Sequence, residues 1–185
     1  MFAIVESGSI TSMPRGNKGI KIGDNQYPAD IFTKWTEAER NAIGVYTVEI
    51  DNTNRKDEEW YINANITYAL SGGKVTGSYG TAIAREIADK TVDGVLEEGL
   101  KTIKKRIVDN ECAQILAPSD WMATKAFEEG GDVESGWKTW RASVRTKCNA
   151  MQTAINNASD VDALAALYVR NSEGVRPLGD FPVKE

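Results

Sequence analysis

The sequence predicts an α+β protein. The expected parts are a small, mainly antiparallel β domain with one short helix at the N-terminal end, a long connecting amphipathic helix, and a C-terminal helical bundle. Three observations carry this. Short runs of alternating apolar and polar residues, punctuated by Gly and Pro, occupy residues 1–80; near Thr81 the apolar spacing lengthens to a helical one; and three of the five tryptophans gather beyond Pro118 on segments with helix-start signals. With 185 residues, 41% of them hydrophobic and 26% charged, the chain can bury a core. The change of pattern favours two parts over one. The expected divisions are a β-rich domain over 1–80, a long connecting helix over 81–116, a helical hairpin plus a short helix over 117–170, and an irregular tail over 171–185.

In chain order, Phe2 to Ile10 is rich in β-branched and aromatic residues and meets Gly8 and Ser9, as a strand entering a turn does. Gly19 to Pro28 alternates Ile20 and Ile22 with polar neighbours around Gly-Asp-Asn, which predicts a hairpin. Thr36 stands three residues before Glu39, the spacing of a capping box, so a short helix is expected from Glu37 to Ile43, ending at Gly44. Ile31, Phe32, Trp35, Ala38, Ala42 and Ile43 are its candidate core cluster. Val45 to Ile50 is a strand by alternation, and Trp60 to Leu70 with the segment after Ser71-Gly72-Gly73 forms a second β pair.

From Thr81 the residues Ile83, Ile87, Val92, Val95 or Leu96, Ile103 and Ile107 recur at three to five positions, which predicts one long helix interrupted or bent at Gly94 and Gly99. The spacing approaches a heptad, so two readings stand: a coiled coil that would make the chain a homo-oligomer, or a helix packed within the chain or on a partner. Ala117-Pro118-Ser119 ends this helix and starts another that runs to Gly130. A further helix is expected from about Glu134 to Asn157, with Trp137, Trp140, Val144, Cys148, Met151 and Ile155 on one face, and a last one over Val161 to Val169.

Composition narrows the chemistry. A net charge of -5 with scattered basic residues speaks against nucleic acid as a partner, since that affinity comes from clustered Lys and Arg. The one dense basic run, Lys101 to Arg106, reads as a solvated helix face or as a phosphate-binding patch. No run of 18 apolar residues exists, so no membrane span is expected, and the N-terminus lacks the basic start of a secretory signal. There is no histidine, which removes Ser-His-Asp and Cys-His catalysis and leaves no ligand set for structural zinc, so no metal or cofactor is expected. Cys112 and Cys148 are read as buried thiols, with one disulfide as the alternative. The carboxylate pairs Glu97-Glu98 and Glu128-Glu129 and the triplet Asp57-Glu58-Glu59 read as solvated, and the glycine segments at 16–19 and 71–74 fall short of a phosphate loop. No catalytic residue is predicted.

The remaining concentration lies between Ile115 and Arg145. Asp120 and Trp121, then Trp137, Trp140, Arg141 and Arg145, place indoles and guanidinium groups on two helices joined by a glycine loop. Arg141 and Arg145 lie four apart and share a helix face, within reach of an acid such as Asp120. These residues either close a packed hairpin or form a Trp/Arg patch for a protein partner.

Leu116, Asp120 and Trp121, followed by Trp137, Trp140, Arg141 and Arg145, resemble the C-terminal signature of tail fibre assembly and tail assembly chaperone proteins of tailed bacteriophages. Members usually carry Tyr where this chain has Trp140. The β-rich start, the Gln26-Tyr27-Pro28 turn and the Trp35-Thr36 to Arg40 helix before Ile43-Gly44-Val45 are similar to small phage tail proteins. The resemblance implies a non-enzymatic protein that binds a phage tail fibre or other tail protein and assists its folding or trimerisation. It would act in the host cytoplasm during assembly. In some members the protein stays on the virion tail, which makes a permanent structural virion protein, such as a tail adaptor or fibre-associated subunit, the alternative.

Overall fold

The computed structural model describes residues 1–184 and is mixed α and β. The chain divides into two compact units, Met1–Ile83 and Ala84–Glu185, each treated in turn.

The first unit is built on a five-stranded sheet in the order β2-β1-β5-β8-β7, formed by β1 (Phe2–Glu6), β2 (Ser9–Ser12), β5 (Val45–Asp51), β7 (Ile66–Ser71) and β8 (Lys74–Tyr79). The hairpins β1-β2 and β7-β8 are antiparallel, and β1 pairs antiparallel with β5, opposing Ile4 to Val45. One pairing departs from the expected antiparallel pattern: β8 lies parallel to β5, with Val48 opposite Val75. The sheet curls, so that the edge strands β2 and β7 approach each other. Gly77 makes room in it. An added Cβ would lie 2.7 Å from the Tyr68 ring, which passes across the strand there.

Alternation along β1 separates two apolar clusters. Phe2 and Ile4 join Val45 with buried Ile31 and Phe32, against which Ile20, Ile22, Tyr27, Trp35 and Ile43 pack. Ala3 and Val5 join Val48 and Val75 with Ile10, Tyr46, Tyr68 and Leu70. The first cluster is covered by the hairpin β3 (Ile20–Ile22) and β4 (Asn25–Tyr27) and by two short helices, α1 (Ile31–Lys34) and α2 (Glu37–Ala42), where one was expected. The capping box at Thr36 forms: Glu39 N–H donates to the Thr36 hydroxyl at 3.3 Å, and Thr36 N–H donates to the Glu39 carboxylate at 2.8 Å. Ala38 and Ala42, expected in the cluster, are exposed, because a helix of six residues turns only part of its surface inward.

The strand expected from Trp60 to Leu70 is broken. β6 (Tyr61–Ile62) stops where the Asn63 amide accepts from Lys56 N–H and donates to Lys56 C=O, each at 2.8 Å. A side chain here supplies backbone hydrogen bonds in place of a strand neighbour.

The long helix expected over 81–116 is the main correction. Strand β9 (Ile83–Ala84) lies at the junction, an exposed hairpin follows in β10 (Lys90–Val92) and β11 (Val95–Glu97), and helix α3 begins only at Leu100 and ends at Leu116. Asp93 and Gly94 turn the hairpin with φ of 51° and 79°, both left-handed. An Asp-Gly pair between β-branched residues is a type I′ hairpin signal, and it prevails over apolar spacing loose enough to suit a helix. Gly99 sets the start of α3. A Cβ there would lie 2.7 Å from the Ile87 carbonyl oxygen, whereas the glycine lets Leu100 N–H donate to Glu86 C=O at 2.9 Å and Lys101 N–H to Ile87 C=O at 3.1 Å. The Asp89 carboxylate accepts from Gly99 N–H and the Thr102 hydroxyl, so residues 86–89 satisfy N–H groups that a helix start leaves open.

The second unit continues through a short 3₁₀ turn (Ala117–Ser119) into α4 (Asp120–Glu128), then α5 (Ser135–Asn157) and α6 (Val161–Ala166). Helices α3 and α5 pack together: Leu100, Lys104, Val108 and Cys112 are the buried row of α3, and Val144, Cys148, Met151 and Ile155 that of α5. Lys104 corrects the reading of the basic run as a solvated face. It is buried, with its ammonium 4.9 Å from the centre of the Tyr168 ring, while Arg106 is paired with Glu98 and Lys101 donates to the Asn156 carbonyl at 2.8 Å. Among the described residues no helix is long and apolar enough to cross a membrane.

Candidate protein-interaction site

The segment Ile115 to Arg145 spans the end of α3, all of α4 and the first half of α5. Pro118 cannot continue α3 without removing a hydrogen bond, so the chain turns there and α4 departs from the corner. Ser119, fully buried at that corner, donates to the Leu116 carbonyl at 2.8 Å.

Arg141 reaches the corner from the second turn of α5. It is buried, and its guanidinium donates to the Leu116 carbonyl at 2.9 Å, to the Ser119 hydroxyl, and to the Asp120 carboxylate at 2.5 Å. Three acceptors around one planar fork fix both direction and distance, a geometry that suits Arg better than Lys. Arg145 does not join it. Four residues further along α5 it is exposed and has no hydrogen bond or ion pair among the described residues, since one helical turn moves it about 6 Å from the corner.

The tryptophans divide likewise. Trp137 and Trp140 are half-buried and stack edge to face with ring centres 5.6 Å apart, and the Trp140 indole donates to the Pro182 carbonyl at 3.0 Å. The Lys184 ammonium sits 5.3 Å from the centre of the Trp137 ring. Residues 171–184 form no helix or strand, yet they are fastened: Leu178 is buried, Lys147 donates to its carbonyl at 2.9 Å, and Asp180 pairs with Arg170 and Arg176. Trp121 belongs to neither group. It is 59% exposed, on a helix that has no buried residue and also exposes Phe127 at 86%.

An open cleft of about 270 Å³ between α4 and the start of α5 is lined by apolar side chains, among them Trp121, Met122 and Trp137, and by the charged Lys125, Glu129, Asp132 and Glu134. Of its carboxylates, Glu129 was expected to be merely solvated, and Asp132 and Glu134 were not singled out in the sequence. Their signal was Glu128-Glu129-Gly-Gly-Asp132-Val-Glu134, four acids in seven residues without a base.

Cys112 on α3 and Cys148 on α5 are free, buried thiols. Burial, followed by hydrogen bonding with Cys112, pushes the Cys148 thiol up to about 11. A thiol in that state is protonated at neutral pH and is a poor nucleophile. Among the described residues no group of three or more His, Cys, Asp or Glu is placed to hold a metal ion. Comparison with protein-family models, with curated proteins and with solved structures gives no match to this chain.

Proposed function

We propose that this chain is a non-enzymatic protein of tailed-phage assembly that binds a tail fibre or related tail component and assists its folding and trimerisation. Support comes from the way the signature residues divide. Leu116, Asp120 and Arg141 are joined in one hydrogen-bonded corner, which gives α3, α4 and α5 a fixed framework. Trp121, from the same signature, plays no part in that corner and is left at the surface on a helix with no fully buried residue. A helix held at one end, with no fully buried residue and with Trp121 and Phe127 exposed, suits contact with a partner, and Trp is among the residue types that dominate such contacts.

The test is co-expression with the product of the neighbouring fibre gene. Fibre should become soluble and trimeric with this chain and should lose that benefit with Trp121→Ala. If the fibre assembles equally well without the chain, the proposal fails.

A further inference from the structure

The cleft between α4 and α5 combines two features that rarely serve an apolar ligand. Its lining includes the Trp121 and Trp137 indoles together with three carboxylates and one ammonium. Glu129 lies 3.8 Å from Lys125, and Asp132 lies 3.2 Å from Lys138 outside the cleft. The Glu134 carboxylate has no hydrogen bond or ion pair among the described residues. Seating a purely apolar group here would strip water from that carboxylate without replacing it, and an anionic group would add repulsion. A cation meets both features, since it is attracted to the face of an indole and to a carboxylate. The chain itself shows that the Trp137 ring accepts one, in the ammonium of Lys184 at 5.3 Å.

We infer that this cleft docks an arginine or lysine side chain from an exposed segment of a partner protein. The cation lies against Trp121 and Trp137 and pairs with Glu134, and the flanking residues of the segment rest on Met122 and the exposed face of α4. The inference deepens the proposed partner-binding role by naming the chemistry of what is bound, and it rests on that reading.

The probe is acetyl-Gly-Leu-Arg-Leu-Gly-amide, set against the same peptide with citrulline, which keeps the shape of arginine and removes its charge. With the full chain labelled for NMR, the arginine peptide should shift the indole N–H signals of Trp121 and Trp137 saturably. Citrulline should bind about tenfold more weakly, and Glu134→Gln should weaken the arginine peptide by about three- to tenfold. Equal binding of the two peptides, or no movement of either indole signal at millimolar peptide, overturns the inference. So does movement of those signals with protein concentration alone, which would assign the cleft to a second copy of the chain. The two levels separate cleanly. If peptides fail while co-expression still yields trimeric fibre, this inference falls alone; if peptides bind as described and the fibre is indifferent to the chain, the docking chemistry stands and the fibre reading falls.

Discussion

Arg141 holds Asp120 at 2.5 Å across a separation of 21 residues, and the same guanidinium donates to the Leu116 carbonyl at 2.9 Å. The two partners are not equally placed: the Arg141 side chain is 8% exposed and that of Asp120 62%. Arg141→Ala should therefore cost about 2 to 4 kcal/mol, because it removes a buried guanidinium that bonds the Leu116 carbonyl and the buried Ser119 hydroxyl, leaving those two only each other, as well as breaking the pair. Asp120→Ala should cost no more than about 1 kcal/mol, as solvent screens an exposed carboxylate. Arg145→Ala should change stability by less than about 0.5 kcal/mol. Urea denaturation of the three variants checks the order, and equal losses for Arg141 and Asp120 would show that the ion pair alone closes the corner.

Gly94 and Gly99 distinguish a hairpin from a helix over residues 90–99. In a helix, Ala at either position would add roughly 1 kcal/mol of stability. In this structure both should destabilise. Gly94→Ala, at φ 79° with open space around it, should lose about 1 kcal/mol, and Gly99→Ala, whose Cβ meets the Ile87 carbonyl at 2.7 Å, should lose more. Thermal melts followed by circular dichroism give the sign directly.

Three carboxylates hold helix starts and are kept below their ordinary values by it. Glu39 is lowered chiefly by Thr36 N–H, Asp89 by Gly99 N–H and Asp160 by Ala163 N–H, from ordinary values of 4.5, 3.8 and 3.8. Each binds its proton less readily folded than unfolded, so its contribution is complete above those ordinary values and disappears as pH falls through the lower folded ones. Stability should be flat near neutrality on this account and decline below about pH 4. The double variant Asp89→Ala, Asp160→Ala should show a shallower acid decline, and an unchanged slope would mean that other groups carry it.

Cys148 should resist alkylation. With its thiol pushed up to about 11, the native chain at pH 8 should react with iodoacetamide about a hundredfold more slowly than the denatured chain. Mass spectrometry of the modified Cys148 peptide measures this, and comparable rates would show that the α3-α5 contact opens readily.

What could be read in advance was local. Thr36 and Glu39 cap each other over three residues, and the Ile20–Tyr27 hairpin carries its own turn, so neighbours in sequence suffice to specify them. The parallel pairing of Val48 with Val75 depends on which strands meet, and nothing near either residue encodes that. Residues 81–99 misled because apolar residues three to five apart fit a hairpin as well as a helix, and the Asp93-Gly94 pair was the stronger signal. At the candidate site, shared spacing on α5 anticipated Arg141 reaching Asp120 but could not tell it from Arg145. The tail lacked periodicity, so the burial of Leu178 had no precursor in the pattern.

Strand β8 is the last of the five sheet strands to be synthesised, yet it sits between β5 and β7. On a ribosome, β5 emerges with one edge satisfied by β1 and the other open, and its partner is still some two dozen residues from being made. The nascent chain therefore spends the whole passage from Asp51 to Lys74 with an unclaimed strand edge exposed to whatever else is being translated nearby.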